Sequence, residues 1–412
     1  MKLRDYQKEI KNEGLKILHK HRILYLSMEV RTGKTLTSLS ICNELNVNNV
    51  LFITKKKAIP SIQDDFDKTN FSWNIWVINY ESLHKMPDVK WDVVICDEAH
   101  SMGAFAKPNK RAKQVKDLIS YSNPYYILLS GTPTPESYSQ IYHQVYGHPN
   151  NPFNKHKSFY SFAKTYVNVK QRLINSMLIN DYSRAKDEVI QMMNPITISY
   201  TQKQAGFKVK MDEKVLRVEM NSQTYILADK LSKDLVIQGK EQLILADTSV
   251  KLMQKLHQIY SGTVKFESGD SMILDLSKAK FIKTKFKDKK IGIFYKFKEE
   301  LNALKEVYGD DLVTELSSFD DSEGKVIALQ IVSGREGISL RQAEALVYYN
   351  IDFSATSYWQ SRDRMTTKDR LQNNIYWIFS NRGIEDKIYK AVVKKKDYTL
   401  RHFKKDYGVS KV

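Results

Sequence analysis

The chain has 412 residues, with 65 Lys and Arg against 47 Asp and Glu, a net charge of +18, and it is 42% hydrophobic and 27% charged. That is long enough for two or three domains with cores of their own, and it excludes a peptide-sized, a disordered or a disulfide-stapled protein. The excess charge divides as +5, +6 and +7 over residues 1–150, 151–270 and 271–412, so it is no tail, and it suits a long polyanion lying across several sections.

Cys42 and Cys96 each sit inside an apolar run, leaving no material for a disulfide framework or a zinc ribbon. The start, MKLRDYQKEIKNEG, has no apolar signal core, and no stretch of about 18 apolar residues occurs. A soluble protein of a reducing cytoplasm is expected. Along the first 150 residues, short apolar runs (ILYL at 23–26, VLFIT at 50–54, IWVI at 75–78, DVVIC at 92–96, YILLS at 126–130) alternate with helical patterns. Such alternation predicts a parallel sheet covered by helices. From about 150 to 270 the strand signal fades and apolar spacings of three and four predict a helical section. After the lysine-rich SKAKFIKTKFKDKK (277–290), runs at 291–297, 326–332, 345–351 and 375–380 predict a second α/β domain. Two α/β domains separated by a helical section suggest paired lobes with a cleft.

After the first strand comes Met28-Glu29-Val30-Arg31-Thr32-Gly33-Lys34-Thr35, followed by the helical LTSLSICNEL. Strand, loop and helix in this order make a phosphate cradle: backbone N–H groups at the helix start face the anion, and Gly33 lets the backbone approach. Lys34 brings charge to the outer phosphates, and the Thr35 hydroxyl can ligate Mg²⁺. Met28 stands where the G-x-x-x-x-G-K-[ST] pattern has its first glycine. About 60 residues on, WDVVICDEAH ends a strand with Asp97 and Glu98, one carboxylate suited to Mg²⁺ and the next to polarising an attacking water. The two motifs together predict nucleotide hydrolysis, with His100 sensing the outer phosphate or linking the lobes.

In this order the residues resemble the superfamily-two helicases and translocases, DEAD/DEAH-type, and within them the Swi/Snf-like branch; the resemblance covers nearly the whole chain. LRDYQ (3–7) resembles the adenine-recognising segment with Arg4 and Gln7, MEVRTGKT motif I with Arg31, Thr32, Gly33, Lys34 and Thr35, and LFITKKK motif Ia. VINYESL (77–83) resembles the next strand-contacting segment, CDEAH motif II, and SGTPTP (130–135) motif III with Ser130 and Thr132. KVLRVEMNSQTYILADKL and LMQKLHQIYSG resemble the helical connector, and IGIFYKF motif IV. VSGREGISL resembles motif V, with Ser333, Glu336 and Gly337, and YWQSRDRMTTKDR motif VI.

The resemblance implies two RecA-like P-loop lobes, residues 1–148 and 275–412, joined by a helical connector, 149–274. They would bind ATP in the cleft and step along a nucleic acid. Motif VI usually reads Q-x-x-G-R-x-x-R; here Gln360 and Arg364 match, Asp363 replaces the glycine and Thr367 stands at the second arginine. Arg364 is therefore expected to serve as the finger, with Arg362 or Arg370 as helpers, and loss of such a finger would leave a weak ATPase.

Lys55, Lys56 and Lys57 follow a strand end and, with Thr54 and Ser333, are expected to meet nucleic-acid phosphates; 277–290 is equally an exposed helix face. The leading expectation is an ATP- and Mg²⁺-dependent DNA helicase or translocase acting on duplex or branched DNA. It would be a monomer loaded by a partner protein, of the size of a phage motor working in replication, recombination or repair in a bacterial cytoplasm. Two alternatives stay open: an RNA helicase, against which the connector argues, and a nucleic-acid-binding scaffold with a weakened ATPase, which Thr367 motivates.

Overall fold

The computed structural model of the chain describes residues 3–174, 177–239, 242–322, 324–334, 338–394 and 406. The chain divides into two units, Met1–Phe207 and Lys208–Val412.

In the first unit, strands β1 (Ile23–Met28), β2 (Asn49–Thr54), β3 (Asn74–Asn79), β4 (Val93–Cys96), β5 (Tyr125–Ser130) and β6 (Thr197–Tyr200) form one parallel sheet in the order β3-β2-β4-β5-β1-β6. Helices cover both faces, which is why these strands read as continuous apolar runs and not as alternations. Leu24, Leu26, Phe52, Ile95 and Leu129 pack on one face with Ile10 and Leu18 of α1 (Asp5–His21) and Leu39 and Ile41 of α2 (Lys34–Glu44). Their neighbours Tyr25, Ile53, Cys96 and Leu128 face the other way, onto Val115 and Ile119 of α3 (Lys110–Ser122), Tyr142 of α4 (Ile141–Val145) and Phe159 of α5 (Phe159–Tyr166). Helix α3 begins where Asn109 accepts a hydrogen bond from the Ala112 amide, and ends at Asn123 in a left-handed conformation.

The second unit repeats the plan. Strands β7 (Lys210–Val218), β8 (Ile291–Tyr295), β9 (Leu312–Val313), β10 (Val326–Gln330), β11 (Ala345–Tyr348) and β12 (Gln372–Ser380) are parallel, in the order β9-β10-β8-β11-β12-β7. Each unit is thus a helix-flanked parallel sheet of the RecA-like kind.

The section 149–274 differs from a purely helical connector. It holds α5, the helix Ser222–Asp234 and α6 (Ser249–Tyr260), but also β6, β7 and three short antiparallel pairs. β6 closes an edge of the first sheet against β1, and β7 closes an edge of the second against all nine residues of β12. The reason they escape a pattern reading is their place at the edge. TISY is only four residues long, and KMDEKVLRV carries five charged residues, as edge strands often do, so it reads neither as a buried run nor as an alternation. Among the described residues no helix is long and apolar enough to cross a membrane.

Candidate active site

The first unit gathers its chemistry at the C-terminal ends of four neighbouring strands, the usual ligand edge of an open α/β sheet. In sheet order these are β2 with Thr54, β4 with Asp97 and Glu98, β5 with Ser130, and β1 with the loop to Lys34. Gly33 caps α2 at φ +82°, a conformation glycine adopts without strain, and a Cβ there would lie 2.3 Å from the Gln7 amide nitrogen. Arg31 (φ +68°) and Glu98 (φ +49°) hold left-handed backbone without being glycine, a strain characteristic of functional turns.

Lys34 folds its Nζ back onto the carbonyl oxygens of Met28 (2.9 Å) and Glu29 (3.4 Å), across the mouth of the loop. Thr32 is buried and its carbonyl accepts from the Tyr6 hydroxyl at 3.0 Å, while Thr35 begins α2 beside Lys34. Gln202, just after β6, donates from its backbone to the Glu29 carboxylate (2.7 Å) and from its side chain to the Val30 carbonyl (2.9 Å). Gln7, expected to recognise adenine, bonds to the phosphate loop. Its Nε2 donates to the Gly33 carbonyl (3.2 Å) and to the Thr37 hydroxyl (3.3 Å), and its Oε1 accepts from the Arg4 amide (3.0 Å). Arg4 itself donates to the Tyr6 hydroxyl. In this arrangement Gln7 and Arg4 brace the phosphate loop.

The acidic pair is tightly held. Thr54 donates to Asp97 Oδ2 at 2.8 Å, and the Tyr80 hydroxyl donates to the Asp97 carbonyl at 2.7 Å. Burial and then the charge of Glu98 push the Asp97 carboxyl up to about 6, against the opposing pull of Lys34 and Thr54. His100 Nδ1 lies 3.3 Å from Glu98 Oε2 and 3.0 Å from Ser130 Oγ, and Ser130 Oγ accepts from the Thr132 amide at 3.1 Å. Contacts thus link the ends of β4 and β5, from Thr132 through Ser130 to His100 and on to Glu98.

Several expected nucleic-acid contacts fall elsewhere. Thr54 is fully buried, so its hydroxyl serves Asp97 and is closed to a phosphate. Lys55 is half-buried, whereas Lys56 and Lys57 are exposed on the short helix Lys56–Ala58. In 277–290, Lys278 is buried against Glu385, and Lys283 and Lys290 bond to the Val307 carbonyl and to Gln342, while Lys280, Lys285, Lys287 and Lys289 are exposed.

In the second unit Gln360 and Arg364 are buried at the end of α9 (Ala355–Ser361) and in the turn after it. Arg364 donates from Nε to the Gln360 carbonyl (3.1 Å) and from Nη1 to the Ile338 carbonyl (3.2 Å), tying motif VI to the motif V segment. Arg362 pairs with Glu213 of β7 and lies over the rings of Tyr358 and Trp359. Arg370 donates to the carbonyls of Ala343 (2.6 Å) and Met365 (3.3 Å). Arg362, Arg364 and Arg370 are thus all engaged within their own unit. Ser333 Oγ bonds to the Gln330 carbonyl in the short helix Ile331–Gly334. Glu336 and Gly337 lie outside the described residues.

Reading the sequence missed Tyr80, Gln202 and Glu213, which reach their targets across 17, 173 and 149 positions of the chain. None carries a local signal for its role.

The SNF2-related domain family matches residues 42–261, and the family described as type III restriction enzyme, res subunit, matches residues 1–70. The CHD3-type chromatin-remodeling factor PICKLE of Arabidopsis thaliana is 20% identical over 379 residues, 83% of this chain. The chain spans about a quarter (26%) of that relative's length. Among solved structures, the Sulfolobus solfataricus SWI2/SNF2 ATPase core in complex with dsDNA aligns over 100% of this chain and 95% of its own, at TM-score 0.44 and 15% identity. The Sulfolobus solfataricus SWI2/SNF2 ATPase core domain aligns over 96% and 89%, at TM-score 0.43 and 16% identity.

Proposed function

We propose, since this chain belongs to the SNF2-related domain family and is an ATP hydrolase, that it is a DNA motor: hydrolysis drives movement along, or remodelling of, DNA. The observation that carries the reading is the clustering of these groups along one sheet edge: the phosphate loop with Lys34, the acidic pair Asp97 and Glu98 whose charges act on one another, and His100 between Glu98 and Ser130.

In this mechanism the α2 amides and Lys34 hold the β- and γ-phosphates, and Lys34 leaves its two carbonyl partners to do so. The Asp97 carboxylate and the Thr35 hydroxyl are hard oxygen donors that would hold Mg²⁺, and a carboxyl raised to about 6 by burial and a like charge gains most from a cation beside it. Bound there, the ion would neutralise charge on the phosphates. Glu98 orients the attacking water, held by His100, whose contact with Ser130 passes the state of the site to motif III. Arg364 supplies positive charge to the transferring phosphoryl group. Lys56 and Lys57 meet the DNA backbone.

Steady-state ATP hydrolysis with duplex DNA, forked DNA, single-stranded DNA and RNA tests the reading. Duplex or forked DNA should stimulate turnover most. Lys34→Ala should abolish it while leaving duplex binding largely intact; hydrolysis that survives this change would show that the phosphate site lies elsewhere. If RNA stimulated best, the RNA-helicase alternative would replace this one.

A further inference from the structure

The nucleotide chemistry uses the strand ends and the α1 and α2 layer. The opposite layer of the first unit holds two adjoining cavities that this chemistry leaves unused. The larger, of about 490 Å³, opens between the segment before α3, helices α3 and α4, and the start of α5; the second is about 440 Å³. Lys107 and Tyr160 line both.

The larger cavity has an aromatic wall and a basic rim. Lys107, Lys113, Lys116 and Lys157 surround it, with Asp117 the one acid among its lining residues. All four lysines are exposed, and none forms an ion pair among the described residues. Lys116 lies 5.3 Å over the ring of Tyr146, which stacks on Tyr142 at 4.8 Å and 27°. Beside them His143 stacks on buried Phe159 at 5.6 Å and 21°. Tyr160 is 49% exposed, an unusual position for a large ring with aromatic neighbours in Phe159 and Tyr182. In the second cavity Asn180 and Asp181 present amide and carboxylate groups, the chemistry that reads base edges.

We infer that this face binds a single-stranded nucleic acid, with an unpaired base entering the larger cavity and flanking phosphates on the lysine rim. Each part of the ligand has its counterpart: aromatic rings stack on bases of any sequence, and unpaired lysines track a backbone. A cavity of this size takes one nucleotide unit. The adjoining cavity, reached past the shared Tyr160, favours a strand over a free mononucleotide. The site is separate from the Lys56 and Lys57 surface and does not depend on the motor reading above.

The test is fluorescence anisotropy of a labelled oligodeoxythymidylate with the full chain. The double change Lys113→Glu with Lys116→Glu should weaken binding by roughly tenfold or more and flatten its salt dependence. Tyr160→Ala should weaken it by roughly tenfold, and Tyr160→Trp should restore it. ATP hydrolysis without nucleic acid should stay unchanged in every variant, which shows that the first unit is folded. Unchanged oligonucleotide affinity in both the charge variant and Tyr160→Ala would overturn the inference. So would thymidine monophosphate competing as strongly as the oligonucleotide, which would make the cavity a mononucleotide site. Failure of the motor reading shows up separately, as turnover that neither Lys34 nor DNA controls.

Discussion

Asp97 concentrates the conflict between function and stability. Its folded carboxyl titrates at about 6, above the ordinary 3.8, so the fold favours the protonated acid. As pH rises from about 4, the unfolded chain ionises first and the native state loses stability, until the loss is complete above about 6. Asp97→Asn keeps an acceptor for Thr54 and removes the buried charge. Without nucleotide or Mg²⁺ it should be more stable than the wild type at pH 7, by on the order of 1 to 3 kcal/mol, with the gap closing by about pH 4. Urea unfolding at both pH values measures this. The same variant should not hydrolyse ATP. Thr367 poses the other question at this scale. If Arg364 acts as the motif's arginine, Arg364→Ala should cut turnover by roughly a thousandfold or more, with no comparable change in duplex binding.

At the scale of elements, the second unit is pinned by a charge pair that the lysine-rich composition of 277–290 conceals. Lys278 of α7 (Ser277–Lys285) and Glu385 of α10 (Glu385–Val392) are both fully buried, 2.6 Å apart, and Ser380 at the end of β12 also donates to Glu385. Removing one member strands the other in a dry site, so Lys278→Met alone should cost about 3 to 5 kcal/mol. Lys278→Met combined with Glu385→Leu should recover most of the loss, because no unpaired charge is left. Chemical denaturation of the two variants separates the cases. The edge strand β7 is tied in by Glu213, which accepts from Tyr358 (2.9 Å) and Trp377 (3.1 Å) besides pairing with Arg362. A sequence pattern marks such a strand poorly, because half of its signal is the neighbour it pairs with.

Over the whole molecule, the spread of +18 is what the two proposed nucleic-acid surfaces, taken together, would require. Some of the excess is structural, as Lys278 and Arg370 show, so the count overstates the binding surface. What remains should still make duplex affinity fall by roughly a hundredfold or more between about 50 and 200 mM salt, measured by anisotropy with labelled duplex. A flat profile would mean that the charge serves solubility alone.

The strands of both sheet centres were legible in the chain itself, because a strand buried on both faces must be apolar throughout, and so was the place of Lys34, Asp97 and Glu98 beyond strand ends, because the apolar run stops just before each motif. The edge strands β6 and β7 were not legible, nor were the partners that complete the sites: Thr54 on Asp97, Gln7 and Gln202 on the loop, Glu213 on Arg362. Those pairings depend on which strands become neighbours and on which side chains lose water there. Only the assembled sheet sets both, since contacts spanning from 26 to 173 residues leave no mark on local spacing.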